Sequence, residues 1–159
     1  MANLFQVSEI VNIGVEDEVA GAALYTALAD KTDNEDLKAF YRKLTEMEKV
    51  HEAKFRELLA SVEQHEVHES FPGEYESYLR ALLDSRAFPT PAVAIQKGNS
   101  APDDRAALEL ALRMEKDTLT LFLEIVQLIP ERHRPVVQTI IDEERAHVVD
   151  ISAKLRDVV

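Results

Sequence analysis

Between Leu37 and Val62 one helical face can be followed without a break. Leu37, Tyr41, Leu44, Glu48, His51, Phe55, Leu58 and Val62 follow one another in alternating steps of four and three. That alternation is the seam of a helix packed in a bundle, and it predicts a helix over about 34–64. Apolar residues fill both ends of the seam, but a carboxylate and an imidazole hold its two central places. Residues three apart on a helix share a face, so Glu48 and His51 aim the same way, toward whatever this helix packs on.

Three further segments show the same texture. Over about 8–31 the inward series is Gly14, Glu18, Gly21, Tyr25 and Leu28, with Ser8 as the expected N-terminal cap and Thr32-Asp33-Asn34 as the closing turn. Over about 103–129 it is Leu108, Ala111, Glu115, Thr118, Phe122, Val126 and Ile129, begun by Pro102-Asp103-Asp104. After a short connection bracketed by Pro130 and Pro135, the last seam holds Val137, Ile140, Glu144, His147, Ile151 and Leu155, with Lys154 reaching out to water. The stretch 65–102 differs. Phe71-Pro72-Gly73 breaks the helix, Glu74–Phe88 predicts a short amphipathic helix, and Pro89-Thr90-Pro91 and Gly98-Asn99-Ser100 read as loop. A connection this long can cross the full length of a bundle, so the second and third long helices are expected to run parallel. The expected fold is one all-α domain over 1–159: an antiparallel four-helix bundle with a long crossover between helices two and three, carrying a short extra helix.

Each long helix therefore has a glutamate in mid-seam, and two of them add a histidine one turn later. The halves repeat one unit: helix with Glu, short connection, helix with Glu-x-x-His. Halves so arranged are related by a pseudo-twofold axis, and Glu18, Glu48, His51, Glu115, Glu144 and His147 meet at one depth. A lone Glu-x-x-His is usually a solvated face. Four mid-seam carboxylates flanked by apolar residues are not, because an isolated buried carboxylate is very costly unless it is paired or metal-bound. No arginine or lysine occupies a matching seam position. Two divalent cations would neutralise the charge, and mixed carboxylate and imidazole donors suit iron or manganese.

Composition narrows the remaining classes. With no cysteine, disulfides, thiolate zinc sites and Cys-ligated iron–sulfur clusters are excluded. A net charge of −12 disfavours nucleic acid and anionic membranes as partners. Most of the 30 acidic residues read as solvated surface. No stretch approaches the roughly 18 apolar residues of a membrane span, and the N-terminus lacks a secretory pattern. The expected location is cytoplasmic.

Taken together, Glu18 with Tyr25, Glu48-Lys49-Val50-His51, Glu115-Lys116-Asp117-Thr118 and Glu143-Glu144-Arg145-Ala146-His147 make the chain resemble the rubrerythrin group of the ferritin-like superfamily. The resemblance implies two iron ions, with manganese or zinc as substitutes. Glu48 and Glu144 would bridge them, Glu18 and Glu115 would be terminal ligands, and His51 and His147 would bind one metal each. It also implies reduction of hydrogen peroxide or dioxygen under oxidative stress, a separate rubredoxin-like or reductase electron donor, and a homodimer. Tyr75, Tyr78 and Leu82 are the expected dimer contacts. The alternatives are a ferroxidase feeding iron storage and a metal-binding helical module without catalysis. Two departures stand out. Rubrerythrins carry a rubredoxin-like domain with an iron held by four cysteines; these 159 residues contain no cysteine, so the expectation is the stand-alone di-iron domain. Thr118 stands where rubrerythrins carry an additional glutamate, and threonine cannot supply that carboxylate. Tyr25 is either a core tyrosine or a catalytic group that hydrogen-bonds near the site or carries electrons. His65 and His68 are an accessory metal pair or a solvated helix end.

Overall fold

A computed structural model describes residues 6–62 and 74–158. In chain order the helices are α1 (Val7–Lys31), α2 (Glu35–Ser61), α3 (Glu74–Asp84), α4 (Pro91–Ser100), α5 (Asp104–Leu128) and α6 (Arg134–Asp157), with a 3₁₀ turn at Glu131–His133. Their ends follow from local chemistry. The Asn34 side chain accepts from the backbone N–H groups of Asp36 and Leu37 at 3.0 and 3.2 Å, which starts α2. Asp103 does the same for α5 through Ala106 N–H at 2.8 Å. The expected cap at Ser8 is corrected to Gln6: its backbone N–H donates to Glu9 Oε2 at 2.8 Å, so Ser8 already lies inside the helix.

The connection holds a second helix that loop punctuation concealed. Thr90 accepts from Val93 N–H at 3.3 Å and Pro91 takes the first turn, so Thr-Pro here is a helix start and not a loop. Gly98 lets α4 pack tightly on α1. A Cβ there would lie 3.3 Å from Ala27 Cβ and from Leu24 Cδ1. This contact explains why α1 is buried on more than its seam, through Ala20, Leu24, Ala27 and Ala29. The short helix before it ends at Asp84, sooner than the expected Phe88, whose ring is buried in the core. His65, His68 and the Tyr75 side chain lie outside the described residues. Tyr78 is 44% exposed and donates to Glu124 at 3.2 Å, while Leu82 packs partly on the core.

Cross-helix partners set the directions. Asp17 of α1 and Thr32 at its C-cap meet Thr118 and Asp104 of α5, so those helices are antiparallel. Phe55 of α2 packs on Phe122 of α5 with ring centroids 4.9 Å apart, and Leu37 and Tyr41 share a cluster with Leu108. Positions rising along both chains together make α2 and α5 parallel, as the length of the crossover predicts. The core falls into two apolar clusters. One is built around Ile10, Phe55, Phe122 and Ile140, the other around Leu24, Tyr41, Leu108 and Ile151. Between them lies a polar layer.

Candidate metal centre

Six side chains form that layer: Glu18 of α1, Glu48 and His51 of α2, Glu115 of α5, and Glu144 and His147 of α6. Each is at most 3% exposed. They make two overlapping donor sets, and within each set one donor atom per residue lies within 4.8 Å of all the others. Glu18, Glu48, His51 and Glu144 form the first; Glu48, Glu115, Glu144 and His147 form the second. The shared glutamates turn one oxygen to each side. Glu144 Oε1 is 2.7 Å from His51 Nδ1, and its Oε2 is 2.7 Å from His147 Nδ1. Glu48 places Oε2 4.0 Å from His51 Nδ1 and Oε1 3.6 Å from His147 Nδ1. Of the two histidines, Glu18 Oε2 approaches His51, 3.6 Å from its Nδ1, and Glu115 Oε1 approaches His147, 3.4 Å from its Nδ1. The imidazole rings stack with centroids 5.8 Å apart.

The electrostatics are those of four crowded, buried carboxylates whose nearest cationic partners are the two imidazoles. Burial pushes Glu18 and Glu48 well above the usual carboxylate range, and the surrounding carboxylates add to it. Burial likewise lifts Glu115 to about 8. Burial also pushes Glu144 upward, but the imidazoles of His147 and His51 outweigh it and hold its carboxyl at about 2. Burial lowers His147, yet Glu115 and Glu144 more than reverse this and raise it to about 10. Both oxygens of Glu18 and Glu48 Oε1 make no hydrogen bond among the described residues, and His51 Nδ1 and Glu144 Oε1 face each other at 2.7 Å outside hydrogen-bond geometry. Buried polar atoms are rarely left so. Oxygen and imidazole donors orphaned together around shared carboxylates fit a pair of divalent cations.

Three groups surround the layer; the sequence offered a hydrogen bond near the site for Tyr25 but no partner for the other two. Glu143 Oε2 lies 2.6 Å from His51 Nε2, while Lys54 Nζ sits 3.1 and 3.3 Å from its two oxygens. Tyr25, fully buried, donates its hydroxyl to Glu115 Oε1 and stacks on Tyr41 at 6.4 Å. Thr118 Oγ1 donates to Asp17 Oδ2 at 2.7 Å, and Asp17 Oδ1 pairs with Arg86 at 2.7 Å. Asp17 points off the seam, toward the crossover, so the 4–3 series passes it over. The hydroxyl of Thr118 is thus committed to Asp17. Arg86→Ala is expected to lower stability by about 3 kcal/mol in denaturant unfolding, because it leaves a buried carboxylate unpaired. A loss below about 1 kcal/mol would show that Asp17 finds another partner.

Residues 9–154 match the family profile of rubrerythrin. No curated protein matches the sequence. Two solved structures share the fold. One, from Thermotoga maritima, is assigned as a ferritin-like diiron-carboxylate protein; it is 20% identical with a TM-score of 0.68, and 98% of each chain is covered. The other is a hypothetical protein from Pyrococcus furiosus, 18% identical with a TM-score of 0.63, covering 96% of this chain and 89% of that one. The fold is ferritin-like.

Proposed function

The chain belongs to the rubrerythrin family, and on that footing we propose that it is a non-haem di-iron oxidoreductase that reduces hydrogen peroxide or dioxygen. The observation that carries this reading is the pair of donor sets sharing Glu48 and Glu144. Glu18, Glu48, His51 and Glu144 would hold one iron, and Glu48, Glu115, Glu144 and His147 the other. When bound there, two ferrous ions would supply one electron each and would stabilise the negative charge developing on the oxygen being reduced.

The protein's own groups do the rest. Apolar clusters on both sides keep bulk water from the layer. Glu48 and Glu144, with one oxygen toward each histidine, hold the two positions at a fixed separation. Tyr25 donates its hydroxyl to Glu115 Oε1 and so holds that carboxylate in place. Glu143, 37% exposed, joins His51 to solvent and is the nearest route for protons. Since these 159 residues contain no cysteine, electrons return from a donor outside them, rubredoxin-like or a reductase. The working unit is proposed to be a homodimer in the cytoplasm; among the described residues no helix is long and apolar enough to cross a membrane.

Stopped-flow mixing of the anaerobic diferrous protein with peroxide, and separately with dioxygen, tests the activity. Rapid oxidation by one of them, repeated on re-reduction and without accumulation of ferric mineral, is the expected result. Protein that binds iron but is oxidised by neither would sink the reading. Hundreds of irons retained per assembly would instead place it among iron-storing ferroxidases.

A further inference from the structure

The internal repeat makes the two halves of the centre comparable position by position, and around the histidines they differ. Glu143 immediately precedes the shared Glu144, and it accepts from His51 Nε2 across the α2–α6 interface at 2.6 Å. The residue immediately preceding the other shared glutamate, Glu48, is Met47, half-buried. A thioether is only a weak acceptor, and His147 Nε2 is buried with no hydrogen-bond partner among the described residues. Lys54, one turn after His51, anchors Glu143. The residue one turn after His147 is Asp150, exposed and of opposite charge. The terminal carboxylates differ in the same sense. Both oxygens of Glu18 are free of hydrogen bonds, whereas Tyr25 occupies one oxygen of Glu115. At Tyr25's place in the other half stands Phe122, which has no hydroxyl.

We infer that the two metal positions are unequal, and that the one formed by Glu18, Glu48, His51 and Glu144 fills first. Glu143 is the positioning residue that sets the order. A histidine bound to metal through Nδ1 must carry its proton on Nε2. At His51 that proton has a carboxylate to receive it, which fixes the tautomer and ring orientation and makes Nδ1 a better donor. At His147 the same proton has no acceptor among the described residues. Partners of this kind are worth on the order of 10–100-fold in metal affinity, and the gap between the two positions is expected to lie in that range. The inference rests on the two-metal reading above.

Anaerobic calorimetric titration of the metal-free protein with ferrous iron should show two steps of equal stoichiometry. Anomalous diffraction from crystals carrying one equivalent should place it beside His51. Glu143→Met copies the other half and should weaken the first step 10–100-fold, merging the two steps. Glu143→Gln keeps an acceptor oxygen and should preserve two steps in the same order. Met47→Glu supplies the missing acceptor and should tighten the second step. One equivalent found beside His147, one equivalent shared evenly, or an unchanged two-step curve in Glu143→Met overturns the inference while leaving the two-metal reading intact. A folded protein that binds no iron at all fails that reading instead. Circular dichroism of each variant separates loss of fold from loss of affinity.

Discussion

Adding ferrous iron anaerobically to the metal-free protein is expected to raise its melting temperature by on the order of 10 °C for each position filled. A ligand bound only by the folded state, at a thousand-fold excess over its Kd, stabilises by about 4 kcal/mol. In a chain of this size each kcal/mol is worth about 2–4 °C. The pH dependence gives the result its diagnostic value. Glu18, Glu48 and Glu115 have raised pKa values in the folded protein, Glu115 reaching about 8. The folded state therefore binds more protons than the unfolded state above the ordinary carboxylate value, and stability from these groups falls as pH rises toward 8. His147 acts in the same direction, its contribution being lost as pH rises through about 10. Glu144 has the opposite sign, but with a folded value of about 2 its contribution is already complete above pH 5. The metal-free protein should thus melt lower at pH 8 than at pH 5. Metal must displace the same protons, so its affinity rises over that interval. The gap between loaded and metal-free melting temperatures should widen from pH 5 to pH 8. A gap that stays constant would point to ions scattered over the acidic surface.

The second large effect separates shared from unshared carboxylates. Glu48 and Glu144 belong to both donor sets, Glu18 and Glu115 to one each. Glu48→Ala and Glu144→Ala are therefore expected to weaken both metals by more than about 100-fold, since even a partner behind a ligand is worth 10–100-fold. Glu18→Ala and Glu115→Ala should each lose one metal and retain the other. Metal counts after dialysis, near zero for the first pair and near one for the second, would establish the bridging roles. Equal loss in all four variants would show that the centre assembles as a whole or not at all. Stability should move the other way. Glu18→Leu in the metal-free protein is expected to gain about 1–4 kcal/mol, the range seen when buried charged groups give way to apolar ones of similar volume. The centre is held at a cost to the apo fold.

Most of the architecture could be read from periodicity, because a helix exposes its packing face within a few residues of itself. Leu37, Tyr41, Leu44, Phe55 and Leu58 fall on the seam and are buried as the alternation of four and three requires. The same registers put Glu18, Glu48, His51, Glu115, Glu144 and His147 inside. What escaped this reading depends on the crossover. The helix Pro91–Ser100 looked like a loop because Thr90, Pro91 and Gly98 are also loop residues. Only its packing on Ala27 and Leu24 distinguishes a cap and a close contact from a break. Arg86 reaches Asp17 from a segment whose path no periodicity describes.

Helical register and an internal repeat suffice to say which six side chains are buried together and at what depth. How their atoms face one another depends on the packing of the helices. Which oxygen of Glu144 turns to which histidine, that Glu143 serves His51 while His147 Nε2 has no acceptor among the described residues, and that Thr118 answers to Asp17 are all relations between helices. They are set by interhelical distance and rotation, to which a one-dimensional repeat is blind. A repeat read along the chain is symmetric; the centre it folds into is not.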